Sequence, residues 1–237
     1  WISETVRVLI GAFAGILCLA GSYRTHSKGL KIFAQGLAGT GIAVLYLSVY
    51  ASFSFYALVP QVVAFVLMAL VTTLALSLGF YYDSLAAALL GLFGGFLTPI
   101  MLSTGQSNEI GLFTYLALLN VGLLGLLLKK ESWVILEPLS FVGTWLLYAA
   151  WHDPFYKPEA LFLTVFFVSL FWLLYFAVDV FRILRAPTRF RFIHHFIAVA
   201  NATIFYITLY VLLDKQYHEW MGLTTLIVGA LYFGTTL

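Results

Sequence analysis

The chain has 237 residues, of which 62% are hydrophobic and only 9% charged, against roughly 25% charged in an ordinary water-soluble domain. So few charged side chains cannot cover a surface that faces water, and lipid is the solvent that remains. A net charge of +2 from 12 basic and 10 acidic residues gives no electrostatic footprint for nucleic acid, and the single cysteine, Cys18, excludes a disulfide within the chain and a multi-cysteine metal site.

Nine apolar stretches approach the roughly 20 residues with which a helix crosses about 30 Å of hydrocarbon. They predict an all-α, polytopic transmembrane helical bundle forming one domain over residues 1–237. The first runs from Val6 to Tyr23, with Gly11 and Gly15 at a four-residue spacing suited to close helix packing. The second, Phe33 to Leu58, carries a further small-residue surface at Gly36, Gly39 and Gly41. Pro60 opens the third, Gln61 to Tyr82, since a proline costs nothing where the helix N–H would be unpaired anyway. Asp83 is the expected cap of the fourth, Ser84 to Leu102. Within that fourth stretch Gly94, Gly95 and Pro99 are candidates for a helix break; the alternative is a kinked, tightly packed helix, because transporters usually pair such breaks in two related halves.

The fifth stretch, Ile110 to Leu128, places Asn120 near its middle, where an amide seeks a partner on a neighbouring helix. The sixth runs from Trp133 to Trp151, and Glu137 near its start reads as a cap or interface residue. The loop WHDPFYKPE then brings together His152, Asp153 and Glu159, which are able in principle to hold a cation or do acid–base work but are more simply a solvated turn. The seventh, Ala160 to Phe181, leads into RILRAPTRFRFIHH, where Arg182, Arg185, Arg189 and Arg191 interleave with aromatic residues as candidates for lipid-headgroup contact. Asp179, one turn before Arg182, is expected to pair with it. In the eighth, Ile193 to Leu213, His194, Asn201 and Thr208 recur every seven residues and form one polar stripe that faces protein. That stripe reads either as a substrate path or as interhelical hydrogen bonding. The ninth runs from Trp220 to Leu237. Because the chain opens at Trp1 without an initiator methionine or a cleavage site and ends inside an apolar run, it reads as a piece of a longer protein.

Lysine and arginine accumulate in cytoplasmic loops, and here they alternate. Residues 24–31 hold Arg24, Lys28 and Lys31, residues 129–131 hold Lys129 and Lys130, and residues 182–191 hold four arginines, which together are nine of the 12 basic residues. This predicts these three segments in the cytoplasm and the N-terminus outside.

The stretches QGLAGTGIAVLYLSVYASFSFYALVP, LMALVTTLALSLGFYYDSLAAALLGLFGGFLTPIMLSTG, LLNVGLLGL and FVGTWLLY resemble a bacterial family of multispan membrane proteins, domain of unknown function 2339. The resemblance covers roughly the first two-thirds of the chain, with YYDSLA and GGFLTP its most specific parts. It implies a polytopic protein of the bacterial inner membrane and brings no catalytic residues.

No phosphate-binding loop, HExxH or GxSxG motif is present, nor paired carboxylates within one apolar stretch. No catalytic residue, metal or cofactor is therefore assigned. The expected partners are membrane lipids and other membrane-protein subunits. The residues rank a structural or assembly component of a membrane complex first, a transporter of a small or amphipathic solute second, and a membrane enzyme acting on a lipid-linked substrate third. A water-filled cavity at Asn120 and the eighth-stretch stripe would favour transport, and solid packing there would favour assembly. The 18% aromatic content is expected to offer surfaces to lipids or partner helices.

Overall fold

A computed structural model describes residues 2–106, 108–185, 192–213 and 217–234. Among them are nine α-helices and no strand, in the chain order of the nine apolar stretches: α1 Glu4–Ser27, α2 Lys31–Tyr50, α3 Gln61–Tyr81, α4 Leu85–Met101, α5 Glu109–Leu127, α6 Leu136–Phe155, α7 Leu161–Arg185, α8 Phe192–Leu213 and α9 Trp220–Gly234. Helices are expected because hydrocarbon offers no partner for backbone N–H and C=O groups, which a helix satisfies within itself. Among the described residues, six helical segments are long and apolar enough to cross a membrane, Leu85–Met101 and Trp220–Gly234 are apolar but shorter, and α6 carries Glu137, His152 and Asp153 along its length.

The helix ends explain themselves locally. Gly29, at φ 84°, closes α1: its N–H donates to the His26 carbonyl and the Leu30 N–H to that of Thr25, the Schellman arrangement that wants a left-handed residue. Asp83 does the same for α3 at φ 52°, with its own N–H reaching Phe80 and that of Ser84 reaching Gly79. This corrects the expected cap. Asp83 ends one helix, and the side chain that caps α4 is that of Ser84, whose Oγ accepts from Ala87 N. A π-helical turn, Ala51–Phe55, extends α2, and Ala57 at φ 49° turns the chain toward Pro60.

The chain divides into two compact units, Trp1–Gln106 and Ser107–Leu237. Uniformly apolar helices hide such a boundary, and the only local sign is the polar stretch around Ser103, Thr104, Gly105 and Gln106.

The first unit packs through small side chains. On α3 the buried face is Ala64, Met68, Val71, Thr72, Ala75, Leu76 and Gly79, while Val62, Val66 and Leu70 point outward, as expected where lipid accepts large side chains and backbones approach through small ones. Helices α1 and α2 cross at Gly15 and Gly41: a methyl group on Gly41 would lie 2.8 Å from the Gly15 carbonyl oxygen, and one on Gly15 3.1 Å from that of Gly41. Between α3 and α4, a Cβ on Gly79 would meet the backbone nitrogen of Ala88 at 2.8 Å.

The second unit packs instead through rings. Phe113 of α5 is fully buried among Trp151 and Tyr148 of α6 and Phe167 and Phe171 of α7, with ring centroids from 4.8 to 6.2 Å. Trp172 of α7 stacks between Phe176 at 5.3 Å and Phe205 of α8 at 4.8 Å, and Tyr232 of α9 meets Phe176 at 5.1 Å. Much of the aromatic content therefore fills an interior.

Candidate functional site

Polar groups inside an apolar bundle are costly and mark the surfaces worth inspecting. In the second unit they converge on one seam along α5, α6 and α7. Asn120, fully buried, donates through Nδ2 to the Leu116 carbonyl at 3.0 Å and to Thr144 Oγ1 at 2.8 Å. Its Oδ1 accepts from the Tyr175 hydroxyl at 2.8 Å, which also lies 3.1 Å from Ser140 Oγ. Ser140 and Thr144 occupy successive turns of α6, each hydroxyl donating back to its own helix, to the Glu137 and Ser140 carbonyls. The sequence singled out Asn120. Its partners Ser140, Thr144 and Tyr175 lie on two other helices, and the four-residue spacing of Ser140 and Thr144 on α6 is the signal in the sequence that marks them.

One turn further along the seam lies a charged cluster. Glu137 is 0% exposed, and Arg182 of α7 bonds both its carboxylate oxygens through Nη1, at 2.7 and 2.6 Å, with the arginine side chain 19% exposed. Two expectations change here. Glu137 is an interior ion-pair partner rather than a cap, and the Arg182 guanidinium bonds that carboxylate and not Asp179. Asp179 is itself buried at 4% exposure, and neither of its oxygens has a hydrogen-bond partner among the described residues. The pairing that brings α6 and α7 together joins residues 45 positions apart, beyond the reach of helix-spacing rules. The side chain of Arg185 and all of Arg189 and Arg191 lie outside the described residues.

Of the expected stripe on α8, Asn201 is fully buried and donates to the Trp172 carbonyl at 3.0 Å and to the Tyr232 hydroxyl at 3.4 Å, tying α8 to α7 and α9. Thr208 is half-buried, and the side chain of His194 lies outside the described residues. Asn120 and Asn201 are thus closed in by protein.

The remaining candidates separate. Helix α4 runs without interruption from Leu85 to Met101, through Gly94, Gly95 and Pro99, so its backbone follows the packed-helix alternative to the break. The absent side chain of Gly94 is filled by Tyr46 of α2, whose ring would lie within 2.4 Å of a Cβ there and whose hydroxyl is 2.7 Å from Thr72 Oγ1. His152 and Asp153 lie on the last turn of α6, past the apolar stretch, and Glu159 in a short 3-10 turn beyond it. His152 stacks on Tyr156 at 4.7 Å, and burial holds its imidazole below the ordinary histidine value, with the Asp153 carboxylate opposing. Among the described residues no three histidine, cysteine or acidic side chains group to hold a metal ion. A groove of about 500 Å³ between α1, α2 and α3 is apolar except for Thr5, Ser48 and Ser52, and both serine hydroxyls donate back to their own helix.

The motifs that carried the family resemblance also find their places. Tyr82 of YYDSLA is buried under the end of α1: its ring packs 4.6 Å from His26, and its hydroxyl lies 3.0 Å from Ser22 Oγ. GGFLTP is the part of α4 that receives Tyr46, and it ends where Gln61 Nε2 holds the Leu102 carbonyl at 2.7 Å. A family model matches the chain over residues 1–237. The chain belongs to the family described as predicted membrane protein (DUF2339). The match extends past the first two-thirds that carried the resemblance, and so takes in the seam of the second unit as well. No curated protein and no solved structure matches the chain.

Proposed function

We propose that this chain is a structural or assembly component of a membrane complex. The observation that carries the reading is the closure of the seam: Asn120 is 0% exposed and bonded on both ends of its amide, which is solid packing where a solute path would need a polar, open wall. Further support comes from outward faces of small residues. Gly122 and Gly125 on α5 and Gly222 and Gly229 on α9 have nothing within 4 Å of where a Cβ would stand, and such faces let a partner helix approach closely. In the same proposal the protein sits in a bacterial inner membrane with its N-terminus outside and residues 24–31, 129–131 and 182–191 in the cytoplasm, on the strength of the alternating basic segments.

Native mass spectrometry after gentle extraction tests the role. Protein subunits retained at fixed stoichiometry, and lost in Gly122→Leu while the chain itself stays folded, are expected; a small molecule retained at fixed stoichiometry without protein subunits would replace assembly by transport or enzymology. Orientation is tested with a membrane-impermeant maleimide on single cysteines replacing Lys130 and Lys157, in a chain lacking Cys18. Labelling from outside is expected at position 157 only, and the reverse pattern would invert the topology.

A further inference from the structure

The end of the first unit at which α1 turns into α2 concentrates positive charge on an exposed surface. Arg24, Lys28 and Lys31 are all exposed, none of them pairs with a carboxylate among the described residues, and residues 22–34 contain no acidic side chain. Arg24 and Lys28 lie four positions apart on one face of the end of α1, where like charges repel, and the negative end of that helix offsets part of the cost. Lys31 has no such compensation. It is the first residue of α2, at the positive end of a 20-residue helix whose first turn holds no acidic residue and whose N-terminus no side chain caps. A cation in that position is unfavourable by itself and calls for an anion.

The surroundings of these cations decide which anion fits. Leu30, Ile32 and Phe33 interleave with Lys28 and Lys31 and are 55%, 88% and 61% exposed. Tyr23 and Tyr81, also exposed, stack beside them with ring centroids 6.5 Å apart, and tyrosines at the end of an apolar helix mark the level of the lipid headgroups. A dissolved polyanion such as nucleic acid would leave those apolar side chains in water, whereas a phospholipid offers phosphate and hydrocarbon side by side.

We propose that the α1–α2 turn is a docking site for the headgroup phosphate of an anionic phospholipid, held by Arg24, Lys28 and Lys31 while Leu30, Ile32 and Phe33 enter the adjoining hydrocarbon. The site rests on charge and exposure within the first unit, so it is independent of the assembly reading and of the side of the membrane on which the turn lies.

Photolabelling of the whole chain in bilayers tests it. The protein is reconstituted in phosphatidylcholine with a small fraction of phosphatidylglycerol that carries a photoreactive group on its headgroup. Labelling is expected within residues 22–34, more at low salt than at high salt. Lys31→Gln is expected to raise by about fivefold the probe fraction that gives half-maximal labelling there, the equivalent of about 1 kcal/mol per basic side chain. Neutralising all three, Arg24→Gln with Lys28→Gln and Lys31→Gln, should reduce labelling to the level of a phosphatidylcholine probe, and the charge-conserving set Arg24→Lys, Lys28→Arg and Lys31→Arg should retain it. Should the neutral variant fail to fold or insert, the comparison of the two probes on the wild-type protein decides alone. Equal labelling by both probes would overturn the proposal and leave these charges as a topology signal. Labelling displaced by inorganic phosphate or by a soluble oligonucleotide at constant ionic strength would overturn it in favour of a dissolved anion.

Discussion

Replacing Tyr175 by phenylalanine isolates what the seam contributes, because it deletes one oxygen and leaves the ring packed. That hydroxyl donates to Asn120 Oδ1 at 2.8 Å and sits 3.1 Å from Ser140 Oγ and 3.5 Å from Thr144 Oγ1, so three interhelical contacts disappear. Measured interhelical hydrogen bonds in membranes average about 0.6 kcal/mol, with a maximum near 1.7 kcal/mol. An acceptor left unpaired at a fully buried site adds to the loss, since no water reaches it in compensation. We expect Tyr175→Phe to destabilise the protein by about 1–2 kcal/mol, a change of roughly 5- to 30-fold in the folding equilibrium. The natural control is Tyr206→Phe, whose hydroxyl accepts only a 3.4 Å contact from Thr225 on an exposed face and whose loss should stay within about 0.5 kcal/mol. Both are measured by reversible denaturation in mixed detergent–lipid micelles. A cycle with Asn120→Leu should give a coupling of at least about 0.5 kcal/mol. If Tyr175→Phe proves as neutral as Tyr206→Phe, the seam is incidental to stability and the reasoning from buried polar closure fails.

Three further outcomes follow from the packing and charges. Gly41→Ala places a methyl 2.8 Å from the Gly15 carbonyl oxygen, a backbone atom that cannot move aside, and should cost about 1–3 kcal/mol in the same denaturation assay; Gly36→Ala, where the space is open, should be neutral or slightly stabilising, and equal effects would refute the crossing geometry. Arg182→Gln leaves Glu137 buried without its counter-charge and should cost about 3–5 kcal/mol, most of it recovered in the double variant with Glu137→Gln; failure of that recovery would mean Arg182 acts through other contacts. The His152 imidazole, lowered by burial, should titrate below the ordinary histidine range by NMR. Its contribution to stability is then present above the unfolded histidine value and declines as pH falls through the interval down to the folded value, and a midpoint at or above the ordinary value would contradict the packing seen against Tyr156.

The helices were legible because their cause is local: an apolar run of membrane-spanning length has few other ways to satisfy its backbone. Small residues were legible for the same reason. Gly11, Gly15 and Gly41 do lie where α1 meets α2, against Ser48, Leu45 and each other. Asn120 announced itself as an amide within an apolar stretch. What lay beyond the sequence were the partners. Nothing local says that Tyr175 closes on Asn120 across 55 positions, or that Arg182 turns from its neighbour Asp179 to Glu137 on another helix. Even the cap of α4 passed to Ser84 because the end of α3 drew Asp83 into the left-handed turn. Composition alone thus determined that the chain is helical and lipid-solvated, since those follow from how each segment meets its solvent. The division into two units, the inward aromatic packing and the charge arrangement of the seam were decided by tertiary structure: when both faces of every helix are apolar, hydropathy no longer distinguishes inside from outside, and only the fit between neighbouring helices does.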